Sequence, residues 1–96
     1  MTLILKDPQA RVDHAFLWDD YADGQIIVAS QWSIAPDASP GDPAPLTLAA
    51  TAFDLVTTSV TLGGGRIGAV YRVTNHVTLS DGQVEDRSLT VRIEER

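Results

Sequence analysis

The sequence has no cysteine, only 6% aromatic residues and no long apolar run. Without cysteine there is neither a disulfide framework nor thiolate chemistry. No stretch approaches the roughly 18 apolar residues of a membrane-spanning helix, and the N-terminal apolar stretch is too short for a signal peptide. We therefore expect a soluble protein made in the cytoplasm, with no membrane partner. At 96 residues, the chain is expected to form a single domain over residues 1–96.

Positive charge is also scarce, since the formal net charge is −6. Residues 1–65 hold eight acidic residues against Lys6 and Arg11, whereas residues 66–96 hold five acidic residues and five arginines. A protein that neutralises nucleic-acid phosphates needs a basic face. This composition therefore argues against nucleic-acid binding.

The C-terminal third, Gly68–Arg96, predicts one long β-hairpin. Apolar and polar residues alternate on both sides of Ser80-Asp81-Gly82-Gln83, and Asp-Gly at the centre is a strong hairpin-turn signal. In the first strand, one face is predicted to hold Tyr71, Val73, Asn75, Val77 and Leu79, and the other face Arg72, Thr74, His76 and Thr78. In the second strand, Leu89, Val91 and Ile93 alternate in the same way with Ser88, Thr90, Arg92 and Glu94.

A period of two recurs earlier in the chain, whereas the helical period is nearly absent. In Gln25–Ile34 it places Ile26, Val28, Trp32 and Ile34 on one face, with Ser30 among them. The pattern also favours strands at His14–Trp18 and Thr58–Leu62, and shorter apolar runs at Leu46–Ala50 and Ala52–Val56.

Three stretches are less regular. Leu46–Phe53 holds several alanines, so a helical turn stays open there beside the favoured strand. Residues 35–45 contain four prolines and predict an exposed loop, because proline cannot continue a ladder. Residues 1–11 could form an extended arm. Together the elements predict an all-β antiparallel sandwich of about seven strands.

No motif predicts catalysis or a cofactor. Gly63, Gly65 and Gly68 satisfy G-x-G-x-x-G, but a strand follows where the phosphate-binding fingerprint needs a helix. A turn between strands is the favoured interpretation. No serine lies in a G-x-S-x-G elbow, and His14 and His76 lack an evident third zinc ligand.

Acidic and aromatic residues meet in one predicted loop. Asp13, His14, Asp19, Asp20 and Asp23 could be a metal cluster, but no glutamate follows as an EF-hand requires. Surface acids are favoured, and calcium binding stays open. Aromatic residues beside acids can also contact a partner. The candidate contact residues are Trp18, Asp19, Asp20 and Tyr21, with the alternative that Trp18 plugs the end of the core.

The order of these motifs resembles that of small tailed-bacteriophage and prophage proteins, the fiber-tail adaptors. Their first half has a D-P element, an acidic tryptophan-containing segment and D-G before a strand that ends in tryptophan, as at Asp7-Pro8, Trp18, Asp23-Gly24 and Trp32. Their second half has G-G-x-x-G-x-x-Y-x-V-T-N, a D-G turn and R-S-x-T-x-R. The matching positions here are Gly64, Gly65, Gly68, Tyr71, Val73, Thr74, Asn75, Asp81, Gly82, Arg87, Ser88, Thr90 and Arg92.

The resemblance implies an immunoglobulin-like sandwich that serves as a virion part without catalysis. Its implied partners are phage tail, fiber or connector proteins, with a ring homo-oligomer as one assembly, after synthesis in the bacterial host cytoplasm. It implies no cofactor. The alternative is an immunoglobulin-like module that binds carbohydrate through Trp18, Tyr21 and the neighbouring acids.

Overall fold

The computed structural model describes residues 2–18, 25–35 and 45–95. These residues form seven strands and no helix, so no membrane-spanning helix occurs among them. The strands are β1 (Thr2–Lys6), β2 (Val12–Leu17), β3 (Ile27–Ala35), β4 (Leu46–Phe53), β5 (Thr57–Gly64), β6 (Val70–Leu79) and β7 (Val84–Ile93).

The strands form two sheets, of order β1-β7-β6-β3 and β2-β5-β4. This is the strand arrangement of an immunoglobulin-like sandwich, with the first strand placed on the sheet of β3, β6 and β7. The predicted all-β sandwich is therefore confirmed. One pair departs from the antiparallel rule, because β1 runs parallel to β7 from Thr2 opposite Leu89 to Lys6 opposite Ile93. Part of the possible N-terminal arm is thus a strand of the sheet.

The C-terminal hairpin is confirmed in its alternation and its turn. β6 pairs with β7 from Val70 opposite Arg92 to Thr78 opposite Val84, and Gly82 in the turn has a φ of 89°. Positive φ is readily available to glycine alone. The predicted inner residues of both strands are buried and supply much of the core: Tyr71, Val73, Asn75, Val77, Leu79, Leu89, Val91 and Ile93.

The prediction of which residues face the core is wrong at the start of β3. A register shift between Ile27 and Ala29 breaks the pairing with β6, so Ile27 is buried whereas Ile26 and Val28 are exposed. An extra residue in a bulge moves the alternation to the other face. Beyond the bulge, Trp32 and Ile34 pack against the core as predicted.

Leu46–Phe53 is a strand, which resolves the choice between strand and helical turn. It pairs with β5 from Leu46 opposite Gly64 to Phe53 opposite Thr58, with one irregularity between Leu48 and Ala50. The run predicted at Ala52–Val56 is divided, because the chain turns after Phe53. Asp54 Oδ1 stabilises that turn by accepting hydrogen bonds from the backbone of Val56 and Thr57 at 3.1 and 2.8 Å.

Candidate interaction surfaces

Trp18, the first predicted contact residue, lies in the core with 1% of its surface exposed. Its Nε1 donates a hydrogen bond to Thr58 Oγ1 at 2.9 Å, and Thr58 Oγ1 donates to Asn75 Oδ1 at 2.5 Å. Asn75 Nδ2 then donates to Ser30 Oγ at 2.9 Å and to the carbonyl oxygen of Gln31 at 3.0 Å. The structure therefore favours the core plug that the sequence left open.

These bonds join the two sheets through the middle of the sandwich. Thr58 lies on β5, whereas Asn75 and Ser30 lie on neighbouring strands of the other sheet. Buried polar groups are tolerated when they are hydrogen-bonded, and here the bonds connect one sheet to the other. The sequence pattern does not indicate this chain of bonds, because its members come from four separate segments.

Aromatic rings and one arginine close the core beside Trp18. Phe16 stacks on Trp32 at a centroid distance of 5.7 Å, and the Arg87 guanidinium lies 5.0 Å from the Phe16 ring centroid. Arg87 Nη1 also donates to the carbonyl oxygen of Leu17 at 2.9 Å. The pKa of His14, whose ring contacts Phe16 edge-on, is lowered by burial and by the positive charge of Arg87.

The other predicted contact residues, Asp19, Asp20 and Tyr21, lie outside the described residues. Their contact with a partner stays a prediction, as does calcium binding by this loop. In the described ranges no three acidic or histidine side chains are grouped to hold a metal. Asp13 accepts a hydrogen bond from Thr61 Oγ1 at 2.6 Å.

The glycine run forms the connection between two strands, as its favoured interpretation predicted. Gly64 ends β5, and Gly65 and Gly68 precede β6; all three have positive φ. No helix follows to present free amides to a phosphate. Instead, the amide of Gly68 donates to the carbonyl oxygen of Ile93 at 2.9 Å.

One end of the sandwich is rich in exposed apolar side chains. Backbone hydrogen bonds join neighbouring segments at this end. The Ile27 amide donates to the carbonyl oxygen of Leu55 at 2.9 Å, and the Ser80 amide donates to the carbonyl oxygen of Ile26 at 2.8 Å. Of the eleven large apolar side chains exposed in the described residues, six lie at this end. We call them the apolar end: Leu17, Ile26, Val28, Phe53, Leu55 and Val84.

A second exposed region is one side of the sandwich, where β3 and β4 are the edge strands of their sheets. Seven of the eight β4 residues are exposed, and only Leu46 is buried. Neither β3 nor β4 contains a charged residue or a proline. We call this region, formed by the edges of β3 and β4, the open side. The sequence pattern indicates neither surface, because each depends on which strands become neighbours.

A known protein family matches most of the chain. The sequence matches the family described as podophage GP4 fiber-tail adaptor protein gp77 over residues 6–92. The chain belongs to this family. The resemblance seen in the sequence is thereby confirmed, and the protein is a phage structural protein of the virion. A search of the curated proteins finds no match.

Proposed function

We propose that this fiber-tail adaptor family member joins tail and fiber proteins of a phage virion through protein–protein contacts and performs no catalysis. The observation that carries the proposal is the apolar end. Exposed apolar side chains mark interaction sites more often where they are concentrated than where they are scattered, and six of the eleven in the described residues lie at this end. In the same proposal, the protein is made in the host cytoplasm and assembles there onto its partners.

Charge indicates what kind of partner surface fits the apolar end. Asp54 and Asp81 lie in the turns at this end, and Glu85 and Asp86 begin β7 beside Val84. A partner with an apolar patch and a basic rim would complement these acids, and such complementarity speeds association.

The carbohydrate-binding alternative has less support. It uses the Trp18 ring as a stacking platform, but that ring is buried and hydrogen-bonded to Thr58. A sugar could reach it only after the core had opened, which would cost much of the stability of a small domain.

Binding measurements on two matched variants test the proposal. Leu55 at the apolar end and Ile67 near the opposite end are similarly exposed, at 61% and 59%. With purified tail and fiber proteins of the same phage, we expect Leu55→Ser to weaken binding about 10-fold, the effect of a moderate hot spot. Ile67→Ser should leave it unchanged. If the wild-type protein binds no tail or fiber protein, the proposed function is wrong.

A further inference from the structure

The open side differs from the opposite side of the sandwich in how its edges are protected. Proteins usually protect edge strands from pairing with other chains by charges, prolines or shortness. On the opposite side, β1 has only five residues, and β2 includes the exposed Asp13. Within the described ranges, the edges of β3 and β4 have a backbone partner on one side only. Each has one irregularity, between Ile27 and Ala29 in β3 and between Leu48 and Ala50 in β4, and β3 is regular from Ala29 onwards.

The inner face of β4 is also uncovered. Thr51 lies opposite Val60, and Phe53 lies opposite Thr58. Both β5 residues are buried between the sheets, yet Thr51 is exposed and Phe53 is 48% exposed. Side chains that point towards the other sheet are normally covered by it. The opposite sheet does not cover the inner face of β4 at Thr51 and Phe53.

The position of β3 explains why the inner face of β4 is exposed. Among the strands of the opposite sheet, β4 approaches mainly β3, and β3 is the last strand of that sheet. A further strand beside β3 would extend that sheet past its present edge, next to the part of the β4 inner face that β3 leaves exposed. Variable-type immunoglobulin domains carry additional strands of their own at this edge.

We propose that an extended segment of a tail or fiber protein adds to the sheet beside β3 and covers the inner face of β4. The inference rests on the proposed function, because it concerns how such a partner is held. Backbone hydrogen bonds to the free edge of β3 give affinity, and alternate side chains pack against Leu48, Thr51 and Phe53. The segment is uncharged or basic and apolar at every second position, since the open side is uncharged in a chain of net charge −6.

Two other occupants fit less well. Residues 36–44 connect β3 to β4 and contain Pro36, Pro40 and Pro43, which have no amide hydrogen to donate to a strand. A second copy carries the same charge of −6, and like charge opposes self-association. A different protein avoids both problems.

Two variants on β4 separate its faces. Thr51 lies on the inner face, whereas its neighbour Ala50 lies opposite Thr61 on the outer face, and both are exposed. A lysine at either position should be tolerated by the isolated fold. We expect Thr51→Lys to weaken binding to the purified partner at least 10-fold, because the charge would be buried under the added strand. Ala50→Lys should bind as the wild-type protein does.

Amide hydrogen exchange on the full chain gives an independent result. On addition of the purified tail or fiber protein, we expect slower exchange in β3 and β4, with no such change in β1. If the partner binds but Thr51→Lys has no effect and β3 exchanges unchanged, this inference is wrong and the proposed function stands. Protection of β3 and β4 in a dimer of the protein alone would make the occupant a second copy and would overturn the inference.

Discussion

At the scale of single residues, the two tryptophans have different environments. Trp18 is buried and donates a hydrogen bond to Thr58. Trp32 stacks on Phe16, but its Nε1 is buried without a hydrogen-bond partner in the described part of the chain. Leaving a buried donor unpaired costs about 1–3 kcal/mol. The first tryptophan therefore stabilises the link between the sheets, and the second contributes chiefly through its ring.

This difference predicts unequal effects of phenylalanine at the two positions. Trp18→Phe removes the donor to Thr58 and leaves a cavity, so we expect a loss of about 2–4 kcal/mol in the free energy of unfolding. Trp32→Phe removes part of the ring but also an unpaired donor, so the free energy of unfolding should fall by less, about 1 kcal/mol. Urea unfolding followed by fluorescence measures both, since each variant keeps one tryptophan. Equal losses would show that the hydrogen bond to Thr58 contributes nothing.

At the scale of elements, the β5–β6 connection depends on glycine for two different reasons. Gly65 and Gly68 both have positive φ, of 102° and 83°. A Cβ at Gly65 would lie 2.6 Å from Ile93 Cδ1, whereas a Cβ at Gly68 would have no atom within 4 Å. Conformation alone constrains Gly68, and both conformation and packing constrain Gly65.

Alanine at these two positions separates the two costs. Gly68→Ala should lower the free energy of unfolding by about 1 kcal/mol, the cost of a strained backbone. Gly65→Ala should cost about 1–3 kcal/mol more, because the added methyl group must displace the buried Ile93 side chain. Thermal unfolding by circular dichroism gives the comparison. A similar melting temperature for both variants would contradict a packing role for Gly65.

The elements that could be predicted from the sequence are those with local determinants. The β6–β7 hairpin has its turn residues and its alternation within one continuous segment, and its pattern alone places Tyr71 and Val73 inside. The bulge in β3 depends on Ile27 lying opposite Leu79, which alternation within β3 does not encode. The pairing of β1 with β7 joins the two ends of the chain, so no local signal predicts it.

The candidate surfaces were less predictable for the same reason. The Pro-rich stretch before β4 and the absence of charge within β4 are visible in the sequence, but the exposed inner face of β4 appears only when β3 is known to end its sheet. Likewise, the role of Trp18 was left open because Thr58, its partner, lies 40 residues away.

At the scale of the whole molecule, the charge is unevenly spread along the chain. The formal charge of −6 comes from residues 1–65, and the remainder is balanced. These first 65 residues include β3 and β4, whose own residues are uncharged. The open side is therefore a neutral region within an acidic half of the chain. Like charge opposes the association of copies, and a partner of opposite charge would be attracted to the same half.

This charge distribution predicts how the protein assembles. Subunits of closed assemblies meet through repeated identical contacts, and each such contact would bring together two copies of charge −6. We therefore expect the isolated protein to be monomeric or weakly associated at low salt. A ring of several copies should form only when a tail or connector protein supplies compensating charge. Light scattering coupled to size exclusion, with and without the purified partner, measures the mass directly.

Salt provides a second test of the same charge distribution. At 0.1 M salt, interactions between exposed charges more than a Debye length of about 10 Å apart are largely screened. Raising the salt concentration should therefore promote self-association of the protein alone and weaken its binding to the partner. A stable ring of the isolated protein at low salt would contradict this view, since contacts strong enough to overcome the repulsion would then exist without any partner.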